Sequence, residues 1–241
     1  MSSLKHDAII VALDVEDAPQ ARTLVKLLGR SVGFYKVGME LYVTGGMDFA
    51  RELAESGKRV FLDLKMYDIP ETVKRAVNQV SQTAVEFLTI HARLSVMQAA
   101  VDGRGASSLK LLGVSVLTSM DDRDLQADLG FPATVSDLVA LRTRNAMTAG
   151  VDGIVCSPLE VARVRAMAGG KAILVTPGVR SPTAAAGDQK RVATPAEAVA
   201  AGADYLVIGR QVTRARDPVS QIEQIHREIE AAEPVSTTHS G

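Results

Sequence analysis

Eight short apolar runs, mostly rich in β-branched residues, recur along this chain at separations of roughly 25–30 residues, about the size of one strand–helix unit. They fall at 9–13, 34–37, 60–65, 87–91, 111–117, 153–156, 173–176 and 205–208. Stretches with apolar residues at helical spacing lie between them, at 18–28, 48–56, 72–83, 135–149, 158–168 and 195–201. A further short helix is predicted at 121–129, inside the long gap between the fifth and sixth runs. Continuous apolar strands belong to sheets buried on both faces, and these are parallel sheets covered by helices. Eight such units predict an α/β fold, a closed (β/α)8 TIM barrel, forming a single domain over 1–232, with 233–241 as a flexible polar tail. In that fold the active site sits at the C-terminal ends of the strands. An open doubly wound sheet is the alternative, but no G-x-G-x-x-G follows the first strand to support a dinucleotide site.

Composition removes several classes of function. A net charge of −1 leaves no broad basic field for nucleic acid or an acidic membrane surface. Aromatic residues make up 4% and Trp is absent, so base-stacking platforms are scarce. The single Cys156 excludes an internal disulfide framework and a multi-cysteine metal site. No apolar run approaches the ~18 residues of a membrane span, and the N-terminus lacks a signal-peptide profile. A cytoplasmic protein that binds neither nucleic acid nor membrane is the expectation.

The informative residues are those that end the strands. Val60, Phe61 and Leu62 begin as an oily strand, and then Asp63 and Lys65 place charge where a buried strand stays apolar. Residues two apart share a face, so Asp63 and Lys65 project together and Leu62, Leu64 and Met66 take the other side. Pro70 stops the strand, and Asp68 lies in the exit loop. A lone D-x-K is usually a salt bridge of little worth. Two charges sharing a buried face, with a third close by, cost several kcal/mol per ion to desolvate, and that weighs toward chemistry. Adding Lys36 on the second strand predicts an alternating chain of Lys36, Asp63, Lys65 and Asp68. Each carboxylate there keeps its neighbouring cations protonated. A protonated lysine is a proton donor, suited to quenching a carbanion-like centre.

Other strand ends supply Asp14, His91, Thr118 with Ser119, Gly178 with Arg180, and Gly209 with Arg210. The loops after the seventh and eighth strands are the usual phosphate cradle of this barrel, and glycines beside arginines fit that use. The Ala- and Gly-rich stretch 181–194 has the makings of a mobile lid, with Gln189 able to reach a ligand. His91 is better explained as a barrel residue than as a catalyst. Asp63 and Asp68 could bind magnesium, but the lysine between them supplies competing positive charge and weighs against it.

The stretch Asp63-Leu64-Lys65-Met66-Tyr67-Asp68-Ile69-Pro70-Glu71-Thr72 resembles the D-x-K-x-x-D-I-P-x-T signature of the orotidine 5′-phosphate decarboxylase family. The resemblance covers nearly the whole chain. It includes Ala12-Leu13-Asp14, Tyr35-Lys36-Val37-Gly38, Val116-Leu117-Thr118-Ser119, Thr176-Pro177-Gly178-Val179-Arg180, Gly187-Asp188-Gln189-Lys190-Arg191 and Val207-Ile208-Gly209-Arg210. It implies a cofactor-free and metal-free decarboxylation of orotidine 5′-phosphate (OMP) to UMP in pyrimidine biosynthesis. Lys65 is then the proton donor to C6, and Asp63 sits against the departing carboxylate. Lys36 and Asp14 contact the ribose and hold the charge network. Thr118 lies on the base side, while Gln189, Arg180, Gly209 and Arg210 hold the phosphate. The family is a homodimer, so Asp68 and Thr72 complete the partner's site. The nearest rivals are a magnesium-dependent 3-keto-sugar-phosphate decarboxylase or synthase on the same barrel, which wants an acidic ligand where this chain has Lys36, and a non-catalytic nucleotide-binding protein.

Overall fold

A computed structural model of the chain describes residues 8–130, 132–182 and 192–231. The expected tail at 233–241 lies outside these residues. Eight parallel strands close into a barrel, each paired with its neighbours in chain order and the first with the last. They are β1 (Ile9–Ala12), β2 (Phe34–Gly38), β3 (Arg59–Met66), β4 (Phe87–His91), β5 (Lys110–Val114), β6 (Gly153–Val155), β7 (Ile173–Thr176) and β8 (Tyr205–Ile208). The helical layer comprises α1 (Ala18–Leu28), α2 (Met39–Glu55), α3 (Pro70–Val80), α4 (Leu94–Arg104), α5 (Asp122–Leu129), α6 (Val135–Ala149), α7 (Val161–Ala168), α8 (Pro195–Ala200), α9 (Arg210–Thr213) and α10 (Pro218–Ala231).

The alternation of side chains along the strands divides the core in two. Inward residues, among them Ile10, Phe34, Phe61, Phe87, Leu112 and Val175, fill the barrel. Outward residues such as Val11, Leu62 and Leu88 pack against the helices in a second, larger cluster. Phe34, Phe87 and Tyr205 meet edge to face, with ring centroids 5.1–5.8 Å apart, a favoured aromatic geometry. The Arg59 guanidinium lies 4.1 Å from the Phe34 ring centre and hydrogen-bonds to Glu86 and to the Tyr205 hydroxyl. This plug fills the end of the barrel where the strands begin.

Several helix boundaries follow from local chemistry. Asp17 accepts from Gln20 N at 2.9 Å and caps α1. Asp121 with Asp124 and Thr194 with Glu197 form reciprocal capping boxes on α5 and α8, the latter with Pro195 at its first turn. Three departures from expectation are physical. The fifth strand ends at Val114, not 117: Ser115 N and Oγ both donate to Val155 O, at 3.0 and 2.9 Å, and the chain then turns. The second helix starts at Met39, well before 48, and is two segments joined across Gly46, whose φ of 57° is not helical. The poor helix formers Thr44, Gly45 and Gly46 hide its first half. The helix after the fourth strand, α4, was given no residue range, because Ala99, Ala100 and Gly103 give little polar contrast between its faces. A Cβ on Gly103 would sit 2.2 Å from Lys74 O, so the small residue lets α4 lie against α3.

Candidate active site

A cavity of about 1300 Å³ opens at the C-terminal ends of the strands. Asp14, Lys36, Asp63 and Lys65 line one part of it. Gly178, Arg180, Gly209 and Arg210 line another, and Thr118 with Ser119 a third. No helix of the described residues is long and apolar enough to cross a membrane.

The first group is a chain of ion pairs. Lys36 points inward from β2 with its side chain only 9% exposed, and its Nζ lies 2.9 Å from Asp14 Oδ1 and 3.6 Å from Asp63 Oδ2. Lys65 Nζ then contacts both oxygens of Asp63, at 3.0 and 2.9 Å. Burial alone pulls the Lys36 ammonium down, but Asp63 and Asp14 outweigh it and hold lysine above its usual range. Burial likewise pushes the Asp63 carboxyl up, and Lys36 and Lys65 reverse that, leaving it below the usual carboxylate range. Both groups are therefore charged at neutral pH.

Asp68 is not a member of this chain. Its carboxylate accepts from the adjacent Ile69 N at 2.6 Å on an exposed loop, and it does not line the cavity. The alternating series is thus Asp14–Lys36–Asp63–Lys65, with Asp14 in the place given to Asp68. The reason is the loop after β3, which carries Asp68 outward before Pro70 opens α3. Thr72, half-buried in the first turn of α3, also lies away from the cavity.

An irregularity in β3 sets the Asp63–Lys65 geometry. From Leu62 to Met66 this strand takes four steps, while its partner β4 takes two, from Leu88 to Ile90. The excess residues bulge around Thr89. Lys65 adopts a φ of 48°, the one non-glycine residue with positive φ among those described. The even shift restores the face alternation, so Leu62, Leu64 and Met66 all pack outward, as expected. Thr89 is fully buried; its hydroxyl accepts from Lys65 N at 2.8 Å and donates to Asp63 Oδ1 at 2.9 Å.

The second group is a glycine–arginine wall on β7 and β8. Gly178, on the cavity wall, has a φ of 81°, a conformation that residues with side chains rarely adopt. The two sides of the following loop are joined at its base. Arg180 N donates to Ala193 O at 3.0 Å, and Val179 bridges Ala193. Ser181 is tied to Gln211 and Glu228 through hydrogen bonds of 2.6–3.0 Å. Gln189 and the centre of the expected lid, 183–191, lie outside the described residues. Thr118 stands in the loop beyond β5 rather than at a strand end, half-buried on the cavity wall. His91 lies outside the cavity lining, its ring 4.9 Å from that of Tyr67, and burial followed by the Arg142 charge holds it below the usual histidine range.

Residues 7–225 match the model of the Orotidine 5′-phosphate decarboxylase / HUMPS family. The chain belongs to that family. An orotidine 5′-phosphate decarboxylase of Rhodopseudomonas palustris is 53% identical over 227 residues, covering 94% of this chain and 95% of the relative. One from Nitrobacter winogradskyi is 52% identical over 228 residues, covering 95% of each. The crystal structure of orotidine 5′-phosphate decarboxylase from Lactobacillus acidophilus superimposes with a TM-score of 0.81 at 35% identity, over 92% of this chain and 99% of that one. An uncharacterized conserved protein from Geobacillus kaustophilus gives 0.79 at 34%.

Two residues of this decarboxylase-family site escaped the sequence. Thr89 looks like any β-branched strand residue, and only the strand register reveals its two hydrogen bonds. Gly38 is the other: a Cβ there would sit 2.9 Å from Lys36 Nζ and 3.2 Å from Asp14 Oδ1. Its signal was present, since a glycine following an inward lysine at a strand end marks a close approach.

Proposed function

We propose that this chain decarboxylates orotidine 5′-phosphate to UMP and CO2, the reaction for which its relatives are named, as a step of pyrimidine biosynthesis in the cytoplasm. The observation that carries the reading is the Asp14–Lys36–Asp63–Lys65 chain on the wall of a cavity whose other side is glycine and arginine. The substrate's C6 carboxylate lies against Asp63, and its phosphate lies in the Gly178–Arg180 and Gly209–Arg210 wall. The C–C bond breaks, CO2 leaves, and the electron pair stays on C6. The Lys65 ammonium, paired with Asp63, gives C6 its proton and regains one from water. Fixed ammonium groups aimed at the developing carbanion lower the barrier without reorganising. Lys36 and Asp14 grip the ribose hydroxyls, and Thr118 meets the base.

The working unit is a homodimer in this reading. Asp68 and Thr72 stand away from their own cavity, on a loop whose Tyr67 and Ile69 are 56% and 66% exposed. Those apolar side chains suit burial against a second copy, and that brings Asp68 and Thr72 to the partner's Lys65. Incubating the purified chain with OMP tests the function: absorbance loss should yield UMP and CO2 one to one, unchanged after EDTA treatment. Activity abolished by EDTA and restored by Mg2+ would point instead to the sugar-phosphate branch of the family.

A further inference from the structure

We infer that Thr89 is a positioning residue for this reaction, its hydroxyl holding Asp63 and the bulged backbone of Lys65 in one fixed arrangement. The inference rests on the decarboxylase reading above and goes past the residues that touch substrate.

Between the pairs Leu62–Leu88 and Met66–Ile90 the ladder joining β3 to β4 is interrupted, and Thr89 is the residue of β4 that faces the gap. A backbone N–H left without a partner in a barrel wall is costly, and Lys65 N finds its partner in Thr89 Oγ1 at 2.8 Å. The same oxygen carries a proton, and it spends that proton on Asp63 Oδ1 at 2.9 Å. One hydroxyl therefore fixes both ends of the Asp63-Leu64-Lys65 excursion. Without it, the left-handed backbone at Lys65 loses its tether, and the Asp63 carboxylate is free to turn about χ2 between Lys36 and Lys65.

Residue type matters here. Threonine is stiff at χ1, so its oxygen is held in place by the backbone of β4. Valine has the same shape and no hydrogen bond to offer. Serine keeps the hydroxyl with a looser rotamer. Thr89 is fully buried and does not line the cavity, so it acts through Asp63 and Lys65 and not on the substrate.

The test compares Thr89→Val and Thr89→Ser with the wild-type chain, reading UMP affinity alongside kcat and KM for OMP. In Thr89→Val, UMP affinity and KM should stay within about threefold while kcat falls about a hundredfold, the scale of a misplacement near 1 Å. Thr89→Ser should recover kcat to within about tenfold of wild type. A Thr89→Val enzyme with wild-type kcat overturns the inference. So does a parallel loss of UMP binding and kcat in both variants, which would mark a packing role alone. If the valine chain does not fold, Thr89→Cys carries the same comparison, since a thiol is a weak donor and acceptor; full kcat there also overturns the inference. A wild-type chain that binds UMP but leaves OMP intact defeats the functional reading itself, and this inference with it.

Discussion

Lys65 reaches both carboxylate oxygens of Asp63, at 3.0 and 2.9 Å, from a backbone held at a φ of 48°. In a regular strand, residues two apart share a face but their side chains run side by side. The bulge in β3 turns them toward each other. A positive φ at a long, non-glycine side chain costs of order 1–3 kcal/mol and persists where the surroundings over-determine it. Here the strain sits at Lys65, the residue proposed to deliver the proton.

Removing the amine separates binding from turnover. Lys65→Ala should keep UMP affinity within about tenfold, because the glycine–arginine wall proposed for the phosphate is untouched. Turnover of OMP should fall by at least about 10³-fold, as expected for loss of the proton donor. The decay of OMP absorbance measures it, and equal rates for the two proteins would remove Lys65 from the mechanism.

Gly38 lies beside Lys36 and keeps space open for its ammonium. Gly38→Ala places a methyl group 2.9 Å from Lys36 Nζ. The end of a lysine chain moves easily, so the fold should lose little, about 1 kcal/mol or less. The displaced ammonium leaves the Asp14–Asp63 gap, and kcat should fall by about tenfold or more. A denaturation midpoint near wild type together with reduced kcat is the expected pair. Unchanged kcat would show that the ammonium has room to spare.

Arg180 tests whether binding energy far from the reacting carbon is used at that carbon. Arg180→Ala should raise KM for OMP and also lower kcat, each by about tenfold or more, because contacts to a remote group help assemble the reactive geometry. Orotidine without its phosphate should likewise react slowly with the wild-type enzyme. If the phosphate-free nucleoside turns over as fast as OMP, the wall at Gly178–Arg180 serves some other purpose.

The barrel was legible because its signal repeats. Eight buried strands leave eight apolar runs, and seven of them end within one residue of expectation. The fifth was misjudged because apolar character continued through Val116 and Leu117 after Ser115 had ended the ladder. The inward charges were equally plain, since Lys36, Asp63 and Lys65 interrupt strands that are otherwise apolar. What the residue pattern alone could not give was the neighbour across a gap, which came only with the family resemblance. Asp68 is close to Lys65 in the chain and was placed with it, yet a loop direction, which no periodicity encodes, carries it away. Asp14 is remote in sequence, and the pairing of β1 with β2 brings it within 2.9 Å of Lys36.

The repeated helix-to-strand turn at Gly150-Val151-Asp152 and Gly202-Ala203-Asp204 works as a latch. Asp152 accepts from Leu111 N at 2.9 Å and pairs with Arg104; Asp204 accepts from Leu174 N at 2.7 Å and pairs with Arg165. Each aspartate thus ties a strand's backbone and a helix's arginine to the junction that starts the next strand. Losing the acceptor leaves a backbone N–H unpaired, a cost of about 1–3 kcal/mol. The Asp152 side chain is 19% exposed and that of Asp204 is 44%. Water therefore replaces the lost acceptor more readily at 204. Urea denaturation should show Asp152→Ala as the more destabilised variant, with OMP turnover intact in both. The reverse order would mean that exposure of the aspartate does not decide the cost of losing it.

Asp63 should also leave a signature in the pH dependence of stability. Its carboxyl is held below the usual range in the folded chain, by Lys36 and then Lys65 acting against burial. A depressed carboxyl stabilises the fold above its unfolded value, about 3.9, and that contribution is lost as pH falls from there through the folded value. Denaturation free energies of wild type and Asp63→Asn should therefore differ by a constant amount from about pH 5 to pH 9, then converge as pH drops below about 4. Lys36 has the opposite sign: its raised ammonium stabilises fully below about 10.4 and loses that contribution only above it, so it adds no slope in the neutral window. If the gap between wild type and Asp63→Asn already narrows between pH 7 and pH 5, Asp63 takes up its proton in the folded chain near neutrality, and its pairs with Lys36 and Lys65 do not hold its charge.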